Sequence, residues 1–175
     1  MKIQKLTVEN RPRVSALLRL AFRTESEANL VEKLHENERP VHEWVCLHAG
    51  RIIGYVVFSN AYDGEVCGLH LGPMAVTPEF QRQGVGTELL NFALRQEEIK
   101  SRPLFVHGKP DFFSRFGFEP SSDAACPFDK NSAYFLSMNH SSDHRFIVGY
   151  EAEFQPAAPP SAPKKNGRPG KTTRR

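Results

Sequence analysis

Between Leu71 and Leu90 the chain reads LGPMAVTPEFQRQGVGTELL, and few folds accommodate such a stretch. Leu71 to Val76 has strand character but is interrupted by Gly72-Pro73. Proline donates no hydrogen bond to a sheet ladder, so that point predicts a bulge or a local splay. A polar turn at Thr77-Pro78 follows. Gly84 and Gly86 then stand one residue apart, where Val85, Leu89, Leu90 and Ala93 mark an amphipathic helix reaching about Ile99. A glycine disfavours a helix interior by about 1 kcal/mol, so two at a helix start need a reason. Either they let the turn pack closely, or they let an anion approach the unpaired N–H groups that a helix N-terminus exposes.

Two common nucleotide loops do not fit. The dinucleotide fingerprint G-x-G-x-x-G breaks at Leu89, and a P-loop needs Lys and Ser/Thr after its last glycine, where Thr87 and Glu88 stand. A second glycine pair in GRPGKT, Gly167 to Thr172, has the wrong spacing and no strand before it. What remains is Q-x-x-G-x-G, made by Gln81, Gly84 and Gly86.

The flanking chain is a mixed α/β pattern. Met1 to Val8 predicts a first strand. Asn10 can cap a helix with Pro12 in its first turn, and Val14, Leu17, Leu18, Ala21 and Phe22 would form its buried face. Thr24 and Glu27 have capping-box spacing for a second helix carrying Leu30, Val31 and Leu34. Trp44–His48 and Ile52–Asn60 predict a hairpin closed by the AGR turn. Leu104–His107 is a short buried strand. Asp111–Phe116 is a short helix stopped by Gly117. Phe118, Tyr134–Met138 and Phe146–Phe154 predict the remaining strands, the last completing the sheet. One clear β-α-β unit, Val66 to His107, sits in a chain too irregular for a doubly wound sheet.

A length of 175 residues suits one domain with a real core. No apolar run approaches the roughly 20 residues that span a bilayer, and no signal peptide is evident, so no membrane partner is expected. Three separated cysteines, Cys46, Cys67 and Cys126, fit neither a disulfide framework nor a Cys-based zinc site. A cytoplasmic protein without a metal is the expectation. The net charge of +3 hides an asymmetry: six of the 23 basic residues lie after Pro156 with no acidic one, leaving 17 against 20, or −3, in the body. The domain is expected over 1–155, followed by a disordered Pro-rich basic tail over 156–175. Six tail charges give at most nonspecific, salt-dependent attraction to nucleic acid.

The stretch LGPMAVTPEFQRQGVGTELL closely resembles motif A of the GNAT N-acetyltransferases, and FFSRFGFEP resembles their closing short helix and "GF" strand start. GKPDFFSRFGF and VGYEAEFQPA are similar to the YhbS-like subgroup. The resemblance covers roughly Met1 to Ala157. It implies a mixed, mostly antiparallel central sheet splayed in the middle and flanked by about four helices. It also implies acetyl-CoA as co-substrate and an amine acceptor that the residues do not name; they set no oligomeric state either. By the same resemblance Met74, Ala75 and Val76 meet the pantetheine arm. Gln81, Arg82, Gln83, Gly84, Val85, Gly86 and Thr87 cradle the diphosphate, chiefly through backbone N–H groups. The Met74 N–H is the candidate oxyanion donor. His70 occupies the position of a catalytic glutamate in histone-acetylating members; an ordinary histidine pKa suits a neutral-pH base, and a half-buried structural histidine is the alternative. Phe113 stands beside the cofactor where most members have a tyrosine, so solvent or Ser114 would protonate the leaving thiolate. Asp63 and Glu65, in the turn before the strand of His70, could instead hold a water or attract a cationic amine, and by the resemblance His107 and Asp111 are lesser candidates near the acceptor side. The expected activity is acetyl transfer to a primary amine of a small molecule or protein. The alternative, motivated by Phe113, is a catalytically impaired CoA-binding or sensing module.

Overall fold

The computed structural model describes residues 1–154; Gln155 and the expected tail, 156–175, lie outside the described residues. Strand β1 (Lys2–Lys5) pairs antiparallel with β2 (Val41–His48), setting Ile3 opposite Cys46. β2 turns into β3 (Arg51–Asp63) through Ala49 and Gly50, both at positive φ (47° and 75°). That two-residue turn matches the right-handed twist of its strands. β3 pairs antiparallel with β4 (Glu65–Val76), and β4 runs parallel to β5 (Leu104–His107). β6 (Glu119–Pro120) and β8 (Phe135–Met138) complete a seven-stranded sheet of order β1-β2-β3-β4-β5-β8-β6. Its single parallel pair is β4–β5, in line with the expected mixed, mostly antiparallel sheet.

Among the described residues four α-helices cover the sheet: α1 (Arg11–Phe22), α2 (Ser26–Glu36), α3 (Val85–Leu94) and α4 (Pro110–Phe113). Alternation along the strands sorts two apolar faces. Val45, Tyr55, Val57 and Ala75 meet Val14, Leu17, Leu18 and Val31 of α1 and α2. Cys46, Val56, Phe58, Leu69 and Leu71 meet Val85, Leu89, Leu90 and Ala93 of α3 on the opposite face. Gly54 in β3 brings α3 close, since a Cβ there would lie 3.3 Å from Val85 and Leu89 side chains. None of the described helices is long and apolar enough to cross a membrane.

Local expectations fail where a competing partner intervenes. Asn10 is entered through a 3-10 turn and has helical dihedrals. Its side chain bonds Arg13 and Thr7 rather than capping α1. The Thr24 hydroxyl donates to the Glu27 carboxylate at 2.6 Å, so the reciprocal capping box does not form and α2 begins at Ser26. Phe22 is exposed at the end of α1 rather than on its buried face. α3 ends at Leu94, five residues early, where the Gln96 amide takes the Phe92 carbonyl at 2.9 Å. The C-terminal segment does not complete the main sheet. β9 (Phe146–Ile147) pairs with β7 (Ala124–Ala125) in a separate parallel ribbon, and Gly149 makes one bridge to Tyr62. Beyond it side chains do the anchoring: the Tyr62 hydroxyl donates to Glu151 at 2.9 Å, and Arg39 pairs with Glu153 at 2.8 Å.

Candidate active site

β4 and β5 stay together for three residue pairs, ending at Leu71 opposite Val106. Two residues of β4, Gly72 and Pro73, then oppose the single β3 residue Val57: Phe58 faces Leu71 and Val56 faces Met74. This is the predicted bulge, with Gly72 at φ 141°. β5 ends at His107, so Met74–Val76 keep β3 on one side and, among the described residues, have no strand on the other. The Thr77 N–H donates to the Ile53 carbonyl of β3 at 2.9 Å. Polar groups alternate in direction along a strand, so those of Val76 and Met74 face the gap. The Gln81 amide confirms that direction by donating to the Val76 carbonyl at 2.9 Å.

The turn that follows holds its shape through its own side chains. Gln83 donates to the Glu79 carbonyl at 2.8 Å, while Arg82 and Gly84 take positive φ (61° and 84°). The first backbone bond of α3 is Glu88 N–H to the Gly84 carbonyl, leaving the N–H groups of Arg82 to Thr87 without a hydrogen-bond partner among the described residues. With the helix dipole behind them, these donors form an anion site. The two glycines have separate jobs. Gly84 has open space where a Cβ would stand and is required by its left-handed backbone. Gly86 is helical, and a Cβ there would point among Met74 (3.4 Å), Val76 (3.6 Å) and Phe112 (3.8 Å).

Those side chains bound a cleft of about 650 Å³. Met74, Ala75 and Val76 form its strand wall, and Gln81, Arg82, Gly84, Gly86 and Thr87 its loop wall. Lys109, Phe112, Phe113 and Arg115 form the third. The side chains of Gln83 and Val85 do not line it: Gln83 ties the turn, and Val85 is buried beneath α3. Among the described residues the cleft lining carries three cations and no carboxylate, a field that favours a polyanion. Sequence reasoning missed Lys109 and Arg115. Their signal was basic residues flanking PDFF, and Arg115 is held by stacking 5.0 Å from the Phe112 ring. Phe113 is buried against Gly108, where a Cβ would fall 2.4 Å from its ring, and meets Phe112 and Phe118 edge-on.

His70 lies on the other face of β4. Its ring stacks on Tyr150 at 4.0 Å and meets Phe154 at 4.9 Å, and its Nδ1 is buried with no partner among the described residues. Burial, with a smaller contribution from the charge of His107, lowers its pKa to about 3. The expected titration near neutrality is thereby corrected: the imidazole stays neutral and is a weak base. Ser114 and Asp111 are exposed and outside the cleft lining. Asp63 pairs with His144 at 2.7 Å, and Glu65 is exposed at the start of β4. His107, the last residue of β5, is bonded through Nε2 to Asp129 at 2.7 Å, and Asp129 also accepts the Asn131 N–H at 2.8 Å. The Asn131 N–H, then His107, hold that carboxyl below its usual range.

Comparison with known proteins agrees with this geometry. The Acetyltransferase (GNAT) domain family matches residues 39–120. The Uncharacterized N-acetyltransferase YjhQ of Escherichia coli (strain K12) is 35% identical over 107 residues, 57% of this chain and 59% of YjhQ, so the match spans less than two thirds of that relative. The Uncharacterized N-acetyltransferase YhbS of the same strain is 32% identical over 112 residues, 62% of this chain and 67% of YhbS. The crystal structure of E. coli YhbS in complex with CoA superposes with a TM-score of 0.82 at 27% identity, covering 90% of this chain and 93% of that one. A GNAT family acetyltransferase from Brucella melitensis in complex with acetyl-CoA shares the fold, with a TM-score of 0.74 at 24% identity over 88% of this chain and 97% of that one. A splayed β4–β5 pair, a donor-rich helix start beside it and these relatives together show that the chain belongs to the GNAT family of acetyltransferases, on its YhbS-like branch.

Proposed function

We propose that the protein transfers the acetyl group of acetyl-CoA to a primary amine of a small molecule or protein, in the cytoplasm. The observation that carries this reading is the continuity of one cleft: the open edge of Met74–Val76 leads directly into the free N–H groups of Arg82–Thr87. The complexes of YhbS with CoA and of the Brucella protein with acetyl-CoA support it.

The pantetheine arm lies along Met74–Val76 as an added strand, its amides meeting the outward groups of Met74 and Val76. Gln81 already uses one lone pair of the Val76 carbonyl and leaves the second. The diphosphate sits on the Arg82–Thr87 N–H groups with the Thr87 hydroxyl in reach, and Arg82, Lys109 and Arg115 balance its charge. The Met74 N–H, preorganised at the bulge, stabilises the oxyanion of the tetrahedral intermediate. Phe112 and Phe113 keep water from the thioester. A thiol with a pKa of about 8.5 leaves as a thiolate without a side-chain acid, and Phe113 offers none. The Tyr150 hydroxyl is no substitute, because burial raises its pKa far above that of a useful acid.

Residues 1–155 form the functional unit in this reading, and truncation after Gln155 leaves acetyl-CoA affinity unchanged. Phe113 favours one second reading, a CoA-binding module without turnover. Isothermal titration with acetyl-CoA, followed by a thiol-release assay over a panel of polyamines, aminoglycosides, amino acids and lysine peptides, separates the two. Binding with release supports transfer, binding without release on every amine supports the second reading, and absence of binding removes both.

A further inference from the structure

An amine acceptor arrives mostly as an ammonium ion and must lose a proton before its nitrogen can attack a thioester. His70 is poorly suited to take it, being buried against Tyr150 and Phe154 with its Nδ1 unpartnered among the described residues. One step further along the same splay, the chain places a different histidine in a different setting. Val106 of β5 pairs with Leu71, so His107 ends β5 beside Gly72, two residues before the Met74 N–H. Phe105 and His107 point to the same face, and Phe105 is the partner of His70, so the His107 ring lies on the sheet face opposite α3. The cofactor cleft opens on the α3 side. His107 therefore stands on the opposite sheet face from it, at the end of the strand that parts from β4.

Its surroundings are those of an oriented proton acceptor. The side chain is 42% exposed, so it is reachable from solvent. Asp129 accepts from Nε2 at 2.7 Å and is itself pinned by the Asn131 N–H at 2.8 Å. That bond fixes the Nε2–H tautomer and leaves Nδ1 with a free lone pair. The Tyr134 ring lies 6.3 Å away, and His70, on the same face, is near enough for the charge of His107 to lower its pKa. Lys109, two residues after His107, lines the cofactor cleft. Asp129 lines a second cavity of about 650 Å³, shared with Ser121, Cys126, Arg145 and Phe146.

We propose that His107, oriented by Asp129, takes the proton from the acceptor's ammonium group, with the acceptor approaching from the cavity that Asp129 borders. This rests on the acetyltransferase reading above. The ammonium gives one proton to Nδ1, forming an imidazolium and a free amine. The amine lone pair forms the C–N bond to the thioester carbonyl. As the intermediate collapses, the C–S bond breaks and its electron pair leaves on the thiolate. The thiolate takes a second proton from the amine nitrogen, giving the amide and CoA thiol, and the imidazolium returns its proton to solvent. No proton donor at Phe113 is required.

The test compares the wild type, His107→Ala and Asp129→Asn with acetyl-CoA and whichever panel amine the wild type acetylates. His107→Ala loses about 10²- to 10⁴-fold in kcat, keeps its acetyl-CoA affinity by calorimetry, and regains part of the rate with added imidazole. Asp129→Asn loses about tenfold or more. Imidazole 1H–15N correlation spectra of the full chain show the Nε2–H tautomer at His107. Unchanged turnover in His107→Ala, a loss that imidazole does not rescue, or an Nδ1–H tautomer overturns the assignment while leaving the acetyltransferase reading in place. A wild type that binds acetyl-CoA but acetylates no amine overturns the transfer reading itself, and the assignment with it.

Discussion

Replacing Gly86 by alanine should raise the stability of the protein and weaken its hold on acetyl-CoA in the same variant. Gly86 has helical dihedrals in the first turn of α3, so alanine adopts its backbone without strain. The added Cβ meets its nearest neighbour, the flexible end of Met74, at 3.4 Å, an ordinary contact. Reduced unfolded-state entropy and better helix propensity then contribute about 0.5–1 kcal/mol. For a chain of this size that raises Tm by about 1–4 °C. The same methyl group stands in the cleft between Met74, Val76 and Phe112, at the start of the helix that presents the free N–H groups. Losing one charge-assisted hydrogen bond to a phosphate costs about 1.5–3 kcal/mol, a rise in Kd of about 10- to 150-fold. Gly84→Ala has the opposite stability sign. Its φ of 84° penalises any side chain by about 1–2 kcal/mol, although nothing crowds its Cβ. Differential scanning calorimetry and isothermal titration on both variants read the two effects. A Gly86→Ala protein that melts lower and binds acetyl-CoA as the wild type does would refute the reasoning, because it would make Gly86 a packing glycine.

Further predictions concern His70 and the cationic wall. The pKa of His70 falls from an unfolded value of about 6.5 to about 3 when folded. Between those values the unfolded chain binds more protons, so this contribution is complete above pH 6.5 and is lost as pH falls toward 3, by up to about 1.4 kcal/mol per pH unit. His70→Phe, which keeps an aromatic ring against Tyr150, should flatten that limb in urea midpoints measured from pH 7 to 4; an unchanged slope removes the buried-neutral account. Its acetyl-CoA affinity should stay within about twofold, since His70 does not line the cleft. Lys109→Ala and Arg115→Ala should each weaken acetyl-CoA binding by about three- to tenfold at low salt and less at high salt, while affinity for acetyl-pantetheine, which lacks the diphosphate, stays unchanged. Equal losses for both ligands would show that these side chains shape the cleft rather than balance charge.

Which of these features could be read from the chain follows from how local their causes are. The β4 bulge and the left-handed Gly84 and Gly117 are dictated by the residues themselves, and the hairpin turn by Ala49-Gly50. The buried faces of α1 and α3 follow from helical spacing, and β5 from the three-residue apolar run Leu104–Val106 between breakers. The Asn10 cap failed because Arg13 takes its amide oxygen, and the Thr24–Glu27 box because the Thr24 hydroxyl donates to the Glu27 carboxylate instead, choices that spacing does not reveal. β7 and β9 are two residues each, too short for any periodicity. The loop wall of the cleft was legible because one contiguous stretch builds it. Its cationic third wall was not, because Lys109 and Arg115 come from a separate element that folds back over Gly86. The low pKa of His70 was hidden for the same reason: Tyr150 and Phe154, which bury it, lie some eighty residues away in sequence. The resemblance to GNAT proteins supplied the ligand, which two glycines alone left open between packing and an anion.

The central claim is that one ligand runs along Met74–Val76 and ends on the N–H groups of Arg82–Thr87. Backbone 1H–15N spectra recorded during titration with acetyl-CoA test it directly. The account predicts saturable shifts concentrated at Met74 and from Arg82 to Thr87, the latter moving downfield as their N–H groups meet phosphate. Saturation that leaves those resonances in place, or no shifts at millimolar acetyl-CoA, would contradict it.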